Sequence, residues 1–200
     1  MNDQLDVQKQ ATSTAGFIRA YAMYWKAEEV DWYGSSTRPH KELLGRVGKQ
    51  GMSSLKVTNF WEQRGIYILY NDYGPYYVGR TSGDGMNLGK RLSQHAIGPS
   101  PHVDRWDRFS WFGWHGTLAS TDARGLQRLR AMPKRLLTDS YTTIGDIESM
   151  MIQALGTINR GNARVETFAA AAAWTQVPLY EREEFLGKAA RYREARLGAR

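Results

Sequence analysis

Residues 65–80 read Gly65-Ile66-Tyr67-Ile68-Leu69-Tyr70-Asn71-Asp72-Tyr73-Gly74-Pro75-Tyr76-Tyr77-Val78-Gly79-Arg80. The first six are a dense β-branched and aromatic run, residues 71–75 are a turn cluster, and residues 76–80 form a second run. Two such runs around a turn predict a β-hairpin. With residues 71–75 as the loop, Tyr70 faces Tyr76, Leu69 faces Tyr77 and Tyr67 faces Gly79. Tyr67 and Tyr77 then share one sheet face on the diagonal. Gly79 opposite Tyr67 leaves space for a ligand beside the ring. Two tyrosines on a half-buried hairpin also serve plain packing.

Working outward, Phe109-Ser110-Trp111-Phe112-Gly113-Trp114 predicts a third strand. Between it and the hairpin, Leu88 and Leu92 lie i, i+4 on a short helix, and Arg91 and His95 share a neighbouring face. A cation beside an imidazole suits an anionic ligand, and it also suits a solvated helix face. Ile144, Ile147, Met151, Ala154 and Leu155 mark a later helix. Glu148 interrupts the apolar row Ile144, Ile152, Leu155, where a carboxylate is paired, binds a metal, or snorkels at the stripe edge. Asn159 and Asn162 follow that helix, where asparagine also serves as a C-cap. The expected fold is α/β (α+β), with a small three-stranded antiparallel sheet flanked by helices near residues 86–97 and 143–156.

Residues 61–165 hold this domain, and residues 1–60 and 166–200 read as helical extensions. Phe17, Ile18, Tyr21, Tyr24 and Trp25 recur at helical spacing, which predicts a helix over 13–29 capped by Ser13 or Thr14. Residues 35–39 read as a loop. Gly45, Gly48 and Gly51 space a loop-like stretch without a strand before it or a Lys-Ser/Thr after it, which excludes a phosphate loop. After the alanine run 169–173 and Pro178, a charged helix is expected to dock through Phe185, Ala189 and Tyr192.

Composition narrows the class. The chain has 200 residues, 42% hydrophobic and 24% charged, an ordinary globular balance. Without cysteine it has no disulfide framework, thiolate metal site or cysteine nucleophile. No apolar window of about 18 residues suggests a membrane span. The start, Met1-Asn2-Asp3-Gln4-Leu5-Asp6, lacks the apolar core of a secretory signal, so a cytoplasmic protein is expected. The net charge of +7, with seven Trp and eleven Tyr, directs attention to polyanions and to bases on which rings can stack.

In this order, Gly65-Ile66-Tyr67, Tyr77-Val78-Gly79, Arg91 with His95 four residues on, Glu148 and Asn159 resemble the GIY-YIG nuclease family. The resemblance covers about residues 62–162. Val78 stands where the family has Ile, the segment 81–87 is longer than in the shortest members, and Asn162 is an alternative to Asn159. The resemblance implies a phosphodiester hydrolase acting on DNA with one divalent cation, Mg²⁺ or Mn²⁺, held by Glu148. It further implies that Tyr67 is the general base, that Arg91 stabilises the scissile phosphate, and that Tyr77, His95 and Asn159 position phosphate and nucleophile. A free tyrosine of pKa ~10 is only ~0.1% ionised at pH 7, so a tyrosine base needs neighbouring cations.

Backbone contacts are expected from Arg124, Arg128, Arg130, Lys134 and Arg135, with His102, Arg105 and Arg108 before the third strand and Arg80 and Lys90 beside the motifs. RNA is a further possible partner. The alternatives are a module of the same fold that holds nucleic acid without cutting it, and an adaptor that docks a partner through the N-terminal helix.

Overall fold

The computed structural model of the chain describes residues 16–34, 41–49, 54–81, 85–130, 140–155, 168 and 171–187. Among the described residues, ten strands form two five-stranded sheets. The strands are β1 (Ala20–Lys26), β2 (Leu44–Val47), β3 (Lys56–Asn59), β4 (Gly65–Asn71), β5 (Gly74–Arg80), β6 (Arg108–Gly113), β7 (Gly116–Thr121), β8 (Gln127–Arg130), β9 (Ala172–Ala173) and β10 (Thr175–Gln176). Among the described residues lie the α-helices α1 (Leu88–Ile97) and α2 (Ser140–Leu155). Among the described residues no helix is long and apolar enough to cross a membrane.

The three strands expected from the sequence, β5, β4 and β6, are antiparallel neighbours in the first sheet. The expectation of a small three-stranded sheet flanked by helices is nevertheless wrong. β1 pairs antiparallel with β6 and β9 runs parallel beside β1, giving the order β5-β4-β6-β1-β9. The second sheet runs β10-β2-β3-β8-β7. Strands from the first sixty residues and from the last thirty-five thus enter both sheets.

The expected helix over 13–29 is instead strand β1 followed by a single 3₁₀ turn, Ala27–Glu29 (residues 13–15 lie outside the described residues). β1 is covered on both faces. Ala20, Ala22 and Trp25 enter one core, and Tyr21 and Met23 pack against another. A strand buried on both sides loses its polar–apolar alternation. A bulge between Ala22 and Trp25, with Tyr24 at φ 54°, also shifts the parity. The buried residues Ile18, Ala22 and Trp25 therefore stand at i, i+4, i+7 and imitate a helix. The adaptor reading, which needed that helix exposed, has no structural basis.

The glycine-spaced stretch read as loop contains β2. A Cβ on Gly45 would lie 2.9 Å from both the Phe60 and Trp25 rings, so this glycine lets a strand pass close beneath aromatics. The C-terminal part contributes β9 and β10 before a helical segment at 182–187. Phe185 is buried with Leu44, Val57, Leu126 and Val177, while Ala189 and Tyr192 lie outside the described residues.

The largest core lies between the sheets. Phe60 stands 4.5 Å from Trp111 and 4.8 Å from Trp174, and Trp25 stands 5.6 Å from Trp111. Leu88 and Leu92 seat α1 on this same core beside Tyr67 and Leu69. The opposite face of the first sheet, with Ile68, Tyr70 and Phe112, is covered by Ala154 and Met150 of α2. This division between the faces of β4 decides which residues can meet at Tyr67.

Candidate active site

The hairpin pairs Tyr67 with Gly79, Ile68 with Val78 and Leu69 with Tyr77, as expected. Near the turn the register differs. Tyr70 pairs with Pro75, not Tyr76, because a bulge falls between Leu69 and Tyr70 and leaves Tyr76 as the extra residue. The bulge lies beyond the pairs that set the site, so Tyr67 and Tyr77 still share a face, with ring centroids 6.2 Å apart. Gly79 is required there: a Cβ would stand 2.2 Å from the Tyr67 hydroxyl and Cζ.

α1 completes the cluster. Asn87 caps it by accepting the Lys90 backbone N–H at 2.8 Å. His95, near its C-terminus, turns toward β4, and the Tyr67 hydroxyl meets His95 Nε2 at 2.8 Å. His95 Nδ1 meets the Ser100 hydroxyl at 3.2 Å. The ring therefore has a partner on each nitrogen. The Tyr77 centroid lies 5.2 Å from His95, and His102 lies 4.6 Å from Tyr77 and 4.9 Å from His95. The Tyr76 hydroxyl meets His102 Nδ1 at 3.2 Å. Arg91 reaches Gln94 at 3.3 Å, while its Nε is buried without a partner among the described residues. A buried guanidinium N–H left unpaired is a donor waiting for an anion.

Electrostatics refine the roles. Burial pushes Tyr67 up to about 12, reinforced by Tyr77 and opposed by the Arg91 guanidinium. The cations at hand do not outweigh desolvation, so Tyr67 is a neutral phenol in the folded chain. Burial pushes His95 down to about 4, with His102 and Arg91 adding repulsion. At neutral pH His95 is uncharged, so one ring nitrogen donates and the other accepts, and the tautomer sets the direction of its bonds to Tyr67 and Ser100.

Tyr67, Tyr77, Arg91, His95 and His102 thus come together. Glu148 is described by its backbone alone. It lies on α2, whose Met150 and Ala154 pack on the Ile68–Tyr70 face, opposite Tyr67, and its own side chain lies outside the described residues. Asp146 on the same helix is buried and accepts the Ile18 backbone N–H at 3.2 Å. Asn159 and Asn162 also lie outside the described residues.

Mg²⁺ takes hard oxygen donors, carboxylates above all. The groups gathered at Tyr67 are a neutral phenol, two imidazoles, a serine hydroxyl and a guanidinium, and among the described residues no metal-holding group of three or more acidic, His or Cys side chains occurs. These described groups supply no carboxylate to such a cation, and the side chain of Glu148, the expected ligand, lies outside the described residues.

The basic residues divide into two kinds. Arg80, Arg105, Arg128 and Arg130 are exposed, the last two at i, i+2 on β8. Lys90 is exposed but donates to the Gly85 carbonyl at 2.6 Å, and Arg108 pairs with Asp107 at 3.2 Å. Arg124 is not a free cation: it is ion-paired to the buried Glu42 and to Asp122. Lys134 and Arg135 lie outside the described residues. Arg124 lies on the turn between β7 and β8, and Arg128 and Arg130 lie on β8.

Ser100 and Tyr76 were missed by sequence reasoning. Ser100 stands between Pro99 and Pro101, a turn signal that carries no hint of a histidine contact, and Tyr76 reaches His102 from the bulged end of β5. No family model, no curated protein and no solved structure matches the chain.

Proposed function

We propose that the chain is an endonuclease that hydrolyses phosphodiester bonds in DNA, in the cytoplasm, at the Tyr67–His95 pair. The observation that carries this reading is the 2.8 Å contact between the Tyr67 hydroxyl and His95 Nε2, beside a buried Arg91 Nε that lacks a partner among the described residues. A phosphate drawn to Arg91 would satisfy that donor and place phosphorus near the phenol.

Tyr67 acts as a relay in this scheme. With its pKa pushed up to about 12, only about one molecule in 10⁵ is phenolate at pH 7. Tyr67 is fully buried in the resting chain, so the scheme requires substrate binding to open its hydroxyl to water; the attacking water then gives its proton to the Tyr67 oxygen while the Tyr67 proton passes to His95 Nε2. His95 is neutral at that pH, and the scheme uses its Nδ1–H tautomer, which puts the Nε2 lone pair on this hydrogen bond. An incoming phosphate anion offsets the repulsion from Arg91 and raises the proton affinity of His95 at the moment it is needed. No step runs through a divalent cation. The net charge of +7 and the exposed Arg80, Arg105, Arg128 and Arg130 suit a DNA backbone.

A second reading, a module that binds nucleic acid without cutting it, is favoured by one observation: the Tyr67 phenol is made harder, not easier, to ionise. Conversion of supercoiled plasmid to nicked circle separates the two. The full chain, Arg91→Ala and His95→Ala are compared with Mg²⁺ and with EDTA. The nuclease reading expects nicking by the full chain and at least ~10²-fold less by each variant. A full chain that shifts DNA on a gel yet nicks it in neither condition establishes the binding module.

A further inference from the structure

The relay leaves one group of the cluster unused, the second imidazole. His102 sits on the turn between α1 and β6, and its position is determined from three sides. Its ring lies 4.6 Å from Tyr77, 5.6 Å from Tyr76 and 4.9 Å from His95. Its Nδ1 is 3.2 Å from the Tyr76 hydroxyl. Its backbone N–H donates at 3.3 Å to the same Ser100 hydroxyl that meets His95 Nδ1, so one serine ties both histidines together. The two imidazoles differ in one respect. Both nitrogens of His95 have partners, whereas Nε2 of His102 has none among the described residues.

We propose that His102, held by Tyr76, is the acid that protonates the leaving oxygen of the scissile phosphodiester. This rests on the nuclease reading given above. A doubly protonated imidazole donates from both nitrogens: Nδ1–H to the Tyr76 oxygen, which orients the ring, and Nε2–H to the substrate. As the water oxygen bonds to phosphorus, its proton passes to Tyr67 and the Tyr67 proton to His95 Nε2. The bond from phosphorus to the leaving sugar oxygen breaks, its electron pair stays on that oxygen, and the His102 Nε2 proton joins it. One water is consumed, and a phosphate monoester and an alcohol are formed. His95 ends protonated and His102 neutral, and exchange with solvent resets both. A sugar alkoxide is a strong base, so a positioned donor contributes ~10²–10⁴-fold to its departure. The acid is an imidazole already fixed in the cluster.

The test replaces the leaving oxygen by sulfur. Once the cut position is mapped, the full chain and His102→Ala are given ordinary DNA and DNA with a bridging phosphorothiolate at that position, sulfur standing at the 3′ or the 5′ bridge. A thiolate departs without a proton. His102→Ala is expected to cut ordinary DNA at least ~10²-fold more slowly than the full chain and the sulfur-bridged DNA within about fivefold of it. Equal slowing on both substrates overturns the acid role and leaves His102 a packing residue. Parent-like cutting of ordinary DNA by the variant also overturns it. A full chain that cuts neither substrate overturns the nuclease reading itself, and this role with it.

Discussion

Replacing Gly79 by alanine tests whether the tyrosine and the histidine depend on the space that β5 leaves open. The added methyl would stand 2.2 Å from the Tyr67 hydroxyl oxygen and Cζ. Comfortable contact begins near 3.5 Å, so the ring must retreat by roughly 1.3 Å. Tyr67 is fully buried, and its retreat is resisted by Leu88, Leu92 and Trp111 in the same core. Overpacking of this kind costs about 1–3 kcal/mol. The 2.8 Å bond to His95 would stretch past hydrogen-bonding range, removing about 1 kcal/mol more. The sum, roughly 2–4 kcal/mol, leaves a domain of ordinary stability folded. Urea unfolding should show a midpoint lower by about 1 M with an unchanged slope. The neighbouring Val78→Ala, on a residue 63% exposed, serves as the control and should move the midpoint little. The imidazole resonances of His95 should change position once the phenol withdraws. A Gly79→Ala chain within about 0.5 kcal/mol of the parent, with the His95 resonances unmoved, would refute the close-approach argument.

Three further outcomes are expected. His95 is held at about 4 in the folded chain against 6.5 ordinarily, so the unfolded chain takes up more protons between those values. Its contribution to stability is complete above about pH 6.5 and declines as pH falls toward 4, by at most about 3 kcal/mol, which urea titrations across that window would read and His95→Gln would flatten. Arg128→Gln with Arg130→Gln removes two exposed cations from β8; DNA affinity should weaken and the salt slope shrink by about 1 for each phosphate no longer neutralised, with the single-turnover cleavage rate kept. Arg182 bridges Asp31 and the buried Glu42; Arg182→Leu leaves Glu42 with Arg124 alone and should cost about 3 kcal/mol, seen as a lower Tm.

The hairpin and α1 were legible because their signals are local. Turn residues at 71–75, alternation that sets Tyr67 against Gly79, and leucines at i, i+4 each act within a few residues. The cluster was legible for the same reason, since Tyr67, Tyr77, Arg91 and His95 stand on adjacent elements. β1 was misread because burial on both faces and a bulge turned a strand into a helical spacing. β9 and β10 are two residues each and depend on β1 and β2 for existence, which no local window shows. Glu148 illustrates a different limit. Its place in an apolar helix row was read correctly as a helix position, but which face of the sheet that helix covers is a tertiary fact, and α2 covers the face away from Tyr67. The Tyr67 ionisation shows the same limit, because residue types reveal the nearby cation and not the burial that outweighs it.

The central claim is that the Tyr67 hydroxyl carries a proton between water and His95 during phosphodiester hydrolysis. The most direct measurement is the single-turnover rate of DNA nicking by the full chain and by Tyr67→Phe, with binding measured on the same substrate. The account predicts that the variant binds within a few-fold of the parent and nicks at least ~10²-fold more slowly. A Tyr67→Phe chain that nicks DNA at the parent rate would contradict it.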